Sequence, residues 1–246
     1  EALTGKKFAN YWTYCGLIKI NGEKMSKSLG NSLTIRDALK EYNYETIKYV
    51  MFSKHYASDV DILDSDYQLA ESHLYYFYKT IKEMKEYVEK YNGEVTHDDE
   101  FSVEIVPKFN EVMDEDFNTS AALANLHNIF KYANNIMKGS KKSDKNSNAN
   151  ILANILNEVH VAYSVLGLFE QDPEEFILEL KNKYLKKIEI NLETIEEWIA
   201  ERATAKKERE FEKADSIRKN LEDIGIILKD TRDGTEWDIK ALYKIG

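Results

Sequence analysis

Residues 64–90 read DSDYQLAESHLYYFYKTIKEMKEYVEK, and Tyr67, Ala70, Leu74, Phe77, Ile81, Met84 and Val88 recur in them at alternating spacings of three and four. Residues so spaced share one face of a 3.6-residue helix, so the stretch reads as one long amphipathic helix. At 1.5 Å per residue it spans roughly 40 Å. A stripe of that length is stable only when other apolar stripes cover it, and this requirement sets the fold: a bundle.

The neighbours supply the partners. Downstream, Ile105, Phe109, Val112 and Met113 make a shorter helix. Asn118 is a cap for the next, with Leu123, Leu126, Phe130, Ala133 and Met137 on one face, and Leu152, Ile155, Leu156, Val159, Tyr163 and Leu166 mark another. Between the last two lies GSKKSDKNSNAN, residues 139–150, apolar only at Ala149. Its composition predicts a disordered inter-helix loop. Upstream, Thr34 and Asp37 form a capping-box-like start, after which Ile35, Ala38, Leu39 and Tyr42 fall on one face. A further helix after Asn43 carries Ile47, Val50 and Met51 inward, and residues 55–63 read as irregular.

The two ends differ from this middle. Residues 17–20 are β-prone, Asn21-Gly22 is a turn signal, and KMSKSLGN follows at 24–31. Past about residue 191 come two helices rich in both charge signs (195–210 and 212–221) and a strand at 226–228. The turn pair Asp233-Gly234 and a returning strand at 236–238 complete a small α/β tail. The organisation expected is therefore 1–33, 34–190 and 191–246, mainly α.

Composition agrees. Among 246 residues only 2 are proline and 10 glycine, which favours long helices. One cysteine, Cys15, excludes an internal disulfide framework and a cysteine-based metal cluster. No run reaches the roughly 18 apolar residues of a membrane helix. The chain opens on Glu1 with no signal segment, so a cytoplasmic protein with a cut or processed end is the simplest expectation. The net charge of −10 is uneven: residues 1–58 carry 9 Lys/Arg against 5 Asp/Glu, residues 59–200 carry 14 against 28, and residues 201–246 carry 11 against 11. A phosphate-bearing partner can engage the ends and avoid the middle.

The chemistry-bearing motif is KMSKS. Two lysines and two serines within five residues, just after a tight turn, offer ammonium groups and hydroxyls to a polyanion. Lysine suits phosphate as a point charge on a flexible stem. On composition alone a solvated basic loop would explain as much.

The pentamer is, however, an unbroken match to the second signature of class I aminoacyl-tRNA synthetases, and its flanks resemble the cysteinyl-tRNA synthetase family. The marks are TGKKFANYW (4–12), TIRDALKEY (34–42), SKHY (53–56), MDEDFNTSAALANL (113–126), LGLFEQDPEEF (166–176) and the tail from 195 to 237. The resemblance is weakest over 139–150 and 178–192. It implies the C-terminal half of a cysteine–tRNA ligase: the end of a class I catalytic domain with its signature loop, an antiparallel helical bundle, and a small C-terminal α/β tRNA-binding module. Its reaction makes cysteinyl-adenylate from cysteine and ATP with Mg2+, then esterifies tRNA(Cys), and by the same likeness a monomer is expected. By this likeness Lys27 is the catalytic lysine, and Lys24, Met25, Ser26, Lys27 and Ser28 bind ATP. His55 and Tyr56 are candidate tRNA contacts, as are Arg202, Lys206, Arg218, Arg232, Asp233 and Trp237 in the tail.

There are departures. The family's other ATP signature and the ligands of its zinc ion are absent, so no metal is expected here and the chain alone is expected to be inactive. The five histidines (His55, His73, His97, His127, His160) show no ligand spacing and read as surface or interhelix residues. Ala57 and Asp59 replace the usual Arg and Pro. Two alternatives stay open: a cysteine-to-sugar-amine ligase of the same lineage, which should lack the tail, and a non-catalytic tRNA-binding module, which has no need of KMSKS.

Overall fold

A computed structural model describes residues 3–20, 22–26, 34–96, 103–139, 144–231 and 234–243. The chain opens with β1 (Ile18–Ile20) and β2 (Glu23–Lys24), then α1 (Ile35–Glu41), α2 (Tyr44–Phe52) and β3 (Val60–Ile62). The bundle follows as α3 (Asp64–Lys90), α4 (Ile105–Asp114), α5 (Thr119–Gly139), α6 (Lys145–Tyr163) and α7 (Pro173–Lys187). The tail is α8 (Leu192–Lys207), α9 (Phe211–Asp223), β4 (Ile226–Asp230) and β5 (Thr235–Ile239), closed by a 3₁₀ turn at Lys240–Tyr243.

Local chemistry sets the helix starts. Thr34 Oγ1 accepts the Asp37 N–H, and the Asn43 side chain accepts that of Glu45. Asp66 reaches back to accept the Leu63 N–H at 2.8 Å at the head of α3. Asp172 caps α7 with Pro173 in the first turn. Asn118 Oδ1 accepts from the Ala121 N–H, as a cap there requires.

The core is built on α3 as its stripe predicts. Leu74, Phe77, Tyr78 and Met84 are fully buried. Phe77 stacks on Phe130 of α5 at 4.7 Å, and Tyr78 on Phe176 of α7 at 4.0 Å. The Glu45 carboxylate is buried with them. Glu45 accepts from Tyr78 Oη at 2.8 Å and from the Phe169 N–H at 3.0 Å, so both its oxygens are hydrogen-bonded in the core. A second cluster joins Leu185 of α7 to Ile195, Leu221, Ile226 and Leu228 of the tail. The β4–β5 hairpin is also tied to the bundle: Tyr75 Oη and Lys79 Nζ both donate to Asp238, and Lys181 Nζ donates to the Trp237 carbonyl at 2.7 Å.

Four readings are corrected. Residues 60–62 are not irregular: they pair with β1 in parallel, Ile18 opposite Val60 and Ile20 opposite Ile62, with α1 and α2 as the crossover. Three residues are too few to show an alternation. The stretch 139–150 is not a loop throughout, because α6 begins at Lys145. Its asparagines satisfy the chain end of α3: Asn146 Nδ2 donates to the Tyr91 carbonyl and Asn150 Oδ1 accepts the Glu94 N–H. Ala149 is fully buried there. On α1, Ile35 is 72% exposed and Leu39 is 49% exposed, so only Ala38 and Tyr42 of that face turn inward. On α2, Met51 is 40% exposed.

Candidate nucleotide loop and RNA-facing tail

The signature loop hangs on the β1–β2 hairpin. Lys19 lies opposite Lys24 and Ile20 opposite Glu23. Gly22 takes φ +81, which glycine adopts without cost, and its N–H donates to Asp61 Oδ1 of β3 at 3.0 Å. Asp59 accepts the Leu17 N–H at 2.9 Å and pairs with Lys19 at 3.1 Å. The Leu17 hydrogen bond first, and Lys19 second, lower its pKa below the usual carboxylate range. Two aspartates thus fasten the hairpin to β3. The approach is tight at Gly16, where an added Cβ would lie 2.0 Å from the Ser58 carbonyl oxygen. The hairpin delivers Lys24 exposed at its end, with Met25 and Ser26 half-buried beside it. Met25 N–H donates to the Ile18 carbonyl. Lys27 and Ser28 lie outside the described residues.

His55 and Tyr56 meet the turn between α4 and α5. His55 Nε2 is 3.1 Å from the Asp116 carbonyl oxygen, and Tyr56 Oη donates to Asp116 Oδ1 at 2.7 Å. That hydrogen bond raises the Tyr56 pKa. Asp116 and Phe117 both take positive φ, +55 and +54, and the two side chains brace that uncommon backbone.

In the tail, Arg202 does not face solvent. It is 3% exposed and holds Asp230 with two hydrogen bonds, 2.8 and 3.0 Å. Lys206 Nζ and Thr235 Oγ1 bind the same carboxylate at 2.8 and 2.9 Å. These bonds, Arg202 foremost, hold Asp230 well below the usual carboxylate range. Arg202 is therefore a clamp between α8 and β4 rather than an exposed contact; charge-rich helix sequence gave no sign of which Arg turns inward. Arg218 is exposed and makes no ion pair among the described residues. Trp237 is half-buried in the second cluster, with Lys181 Nζ 4.2 Å above its ring. Arg232 and Asp233 lie outside the described residues.

Two of the histidines pair between helices. His73 and His127 meet between α3 and α5 at a ring distance of 4.4 Å, and Tyr49 Oη is 3.0 Å from His73 Nδ1. His97 lies outside the described residues. No group of three or more His, Cys, Asp or Glu that could hold a metal occurs among the described residues. No helix there is long and apolar enough to cross a membrane.

Comparison with known proteins adds what geometry alone leaves open. The family described as tRNA synthetases class I (C) catalytic domain matches residues 1–72, and the DALR domain matches residues 108–170. The chain is 38% identical over 246 residues to the cysteine–tRNA ligase of Geobacter metallireducens, covering 98% of this chain and 50% of that protein. It is 38% identical to the ligase of Thermodesulfovibrio yellowstonii and 35% to that of Geotalea daltonii, with 98% of this chain and 50% and 51% of those proteins covered. The chain spans about half the length of the curated relatives it matches. Residues 1–72 thus match the class I (C) tRNA synthetase catalytic-domain family and residues 108–170 match the DALR domain, and over nearly its whole length the chain resembles half of a cysteine–tRNA ligase.

Proposed function

We propose that this chain is the later half of an ATP-dependent cysteine–tRNA ligase, supplying the signature loop and the tRNA-binding parts. The observation that carries the reading is the KMSKS sequence following a hairpin that Asp59 and Asp61 fasten to a β-α-α-β unit leading into the bundle, within an alignment covering 98% of the chain. In this reading residues 1–33 end the catalytic domain, 34–190 form the stem-contact helices and bundle, and 191–246 read the tRNA.

In the first step a carboxylate oxygen of cysteine attacks the α-phosphorus of ATP and pyrophosphate leaves. In the second a ribose hydroxyl of the tRNA terminus attacks the adenylate's carbonyl carbon and AMP leaves. Mg2+ accompanies ATP and offsets phosphate charge. The chain's own part is electrostatic. Lys24, exposed at the hairpin end, and Lys27 place ammonium groups against the triphosphate, while Ser26 and Ser28 offer hydroxyl donors and Met25 seats the loop on the hairpin. A donor that strengthens its hold as pyrophosphate departs is worth about 3–4 kcal/mol in rate. The tail faces the tRNA through Lys206, Arg218, Arg232, Asp233 and Trp237, with Arg202 holding the strand end through Asp230. Single-stranded anticodon bases are read by stacking and polar edges.

The test is binding of this chain to cysteine tRNA and to the same tRNA with its anticodon replaced. Tighter binding to the native anticodon supports the reading. Equal affinity for both removes recognition from the tail and favours the sugar-amine ligase of the same lineage.

A further inference from the structure

The small sheet that carries the hairpin has two unlike faces. Val60 and Ile62 of β3 are buried in the main core, with Ile18 of β1 packed against it. The other face is charged. Lys24, Lys19 and Asp61 stand side by side across β2, β1 and β3, and Asp59, two residues before Asp61, falls on the same side.

Two features of this face work against the hairpin. Only two residue pairs join β1 to β2, Lys19 with Lys24 and Ile20 with Glu23, and so short a hairpin is marginal by itself. One of those pairs sets two ammonium groups directly opposite each other, which pushes the strands apart. Both difficulties are met from β3 and the residue before it. Asp61 Oδ1 accepts the Gly22 N–H at 3.0 Å and so ties down the turn. Asp59 Oδ1 accepts the Leu17 N–H at 2.9 Å where β1 begins, and Asp59 Oδ2 pairs with Lys19 Nζ at 3.1 Å. That pair draws the Lys19 charge toward β3 and away from Lys24, which stays exposed at the hairpin end.

Resting on the function proposed above, we infer that Asp61 and Asp59 are positioning residues for the ATP step: Asp61 fixes the turn and Asp59 neutralises Lys19, so that Lys24 is presented to the triphosphate in one position. Neither carboxylate touches the nucleotide in this role, since a carboxylate against a triphosphate repels it. The effect is on rate because a displacement of about 1 Å in a positioned group can cost about 100-fold.

The test uses the complete ligase containing this chain and follows cysteine-dependent exchange of pyrophosphate into ATP at varied ATP and cysteine. Asp61→Ala is expected to lower kcat/KM for ATP about tenfold or more, with KM for cysteine and affinity for cysteine tRNA within about twofold of the parent. Asp61→Asn keeps the accepting oxygen and is expected to recover most of that loss. Asp59→Asn keeps the acceptor for Leu17 but releases Lys19; kcat/KM for ATP is expected to fall about two- to fivefold, and adding Lys19→Gln to restore it. This second pair of variants decides the matter if Asp61→Ala does not fold. A parent without cysteine-dependent exchange overturns the functional reading and this inference with it. An active parent whose Asp61→Ala and Asp59→Asn variants keep the parental kcat/KM for ATP overturns this inference alone. So does a loss shared equally by ATP, cysteine and tRNA, or an Asp61→Asn variant as impaired as Asp61→Ala. An Asp59→Asn variant that uses ATP better than the parent, or that Lys19→Gln does not restore, overturns it as well.

Discussion

Individual side chains in this protein have separable jobs. Arg202 and Asp230 form a two-pronged pair, buried at the arginine and half-open at the acid, where the Asp230 side chain is 45% exposed. Removing one member of a fully buried pair costs 3–5 kcal/mol, and solvent reaching Asp230 reduces that. Arg202→Ala is therefore expected to destabilise the protein by about 2 kcal/mol in urea unfolding. A loss below about 0.5 kcal/mol would show that the clamp is dispensable. His73 shows a pH effect of definite sign. Burial, and then the neighbouring His127, pull its pKa down to about 4 from 6.5. The unfolded chain binds that proton more readily, so the stability conferred by neutral His73 is complete above pH 6.5 and is lost as pH falls toward 4. His127, lowered by burial, acts in the same direction. Thermal unfolding between pH 7 and 4.5 should show a shallower decline for His73→Gln than for the parent; parallel curves would mean the ring is not desolvated in solution.

At the scale of elements, the helices were legible because their stripes are long and their caps chemical. The α3 bounds and the caps Thr34, Asn43 and Asn118 follow from periodicity and hydroxyl or amide placement. The start of α6 was not legible. KNSNAN looks like linker by composition, and its helical state depends on Asn146, Asn150 and Asn154 finding backbone groups more than fifty residues earlier. Asn154 is 5% exposed and bonds both the N–H and the carbonyl of Thr96 at 3.0 Å. Asn154→Ala leaves both unsatisfied and should cost about 2–4 kcal/mol, read by chemical denaturation. A near-neutral result would return 145–150 to the loop that composition predicts. The β1–β3 pair was illegible for another reason: its strands are three residues long and the pairing is non-local. Its fit depends on Gly16, so Gly16→Ala should lower the melting temperature by several degrees through a backbone clash of about 1–3 kcal/mol. An unchanged melting temperature would show that the Ser58 carbonyl yields at little cost.

Over the whole molecule, the acidic middle is not uniform and the ends are not independent. Buried contacts run from the hairpin through α3 and α7 to the tail, where Asp238 and Trp237 meet Tyr75, Lys79 and Lys181. Such a chain of contacts holds the β1–β2 hairpin at one end and the proposed anticodon-reading hairpin at the other on one frame. The KMSKS motif was plain in the sequence because its five residues are contiguous. The tail was legible as a module but not residue by residue, since burial decides which of its many charges are available. Arg202 and Arg218 look alike in sequence, and only packing separates the clamp from the exposed cation.

By the proposed function, Lys27 is the signature lysine of a cysteine–tRNA ligase. The most direct measurement is cysteine-dependent exchange of pyrophosphate into ATP by the complete ligase containing this chain, with and without Lys27→Ala. Exchange is expected to require cysteine and to fall by about 10²–10³-fold in the variant, with affinity for cysteine tRNA nearly unchanged. Exchange that is absent in the parent, or equal in parent and variant, would contradict it.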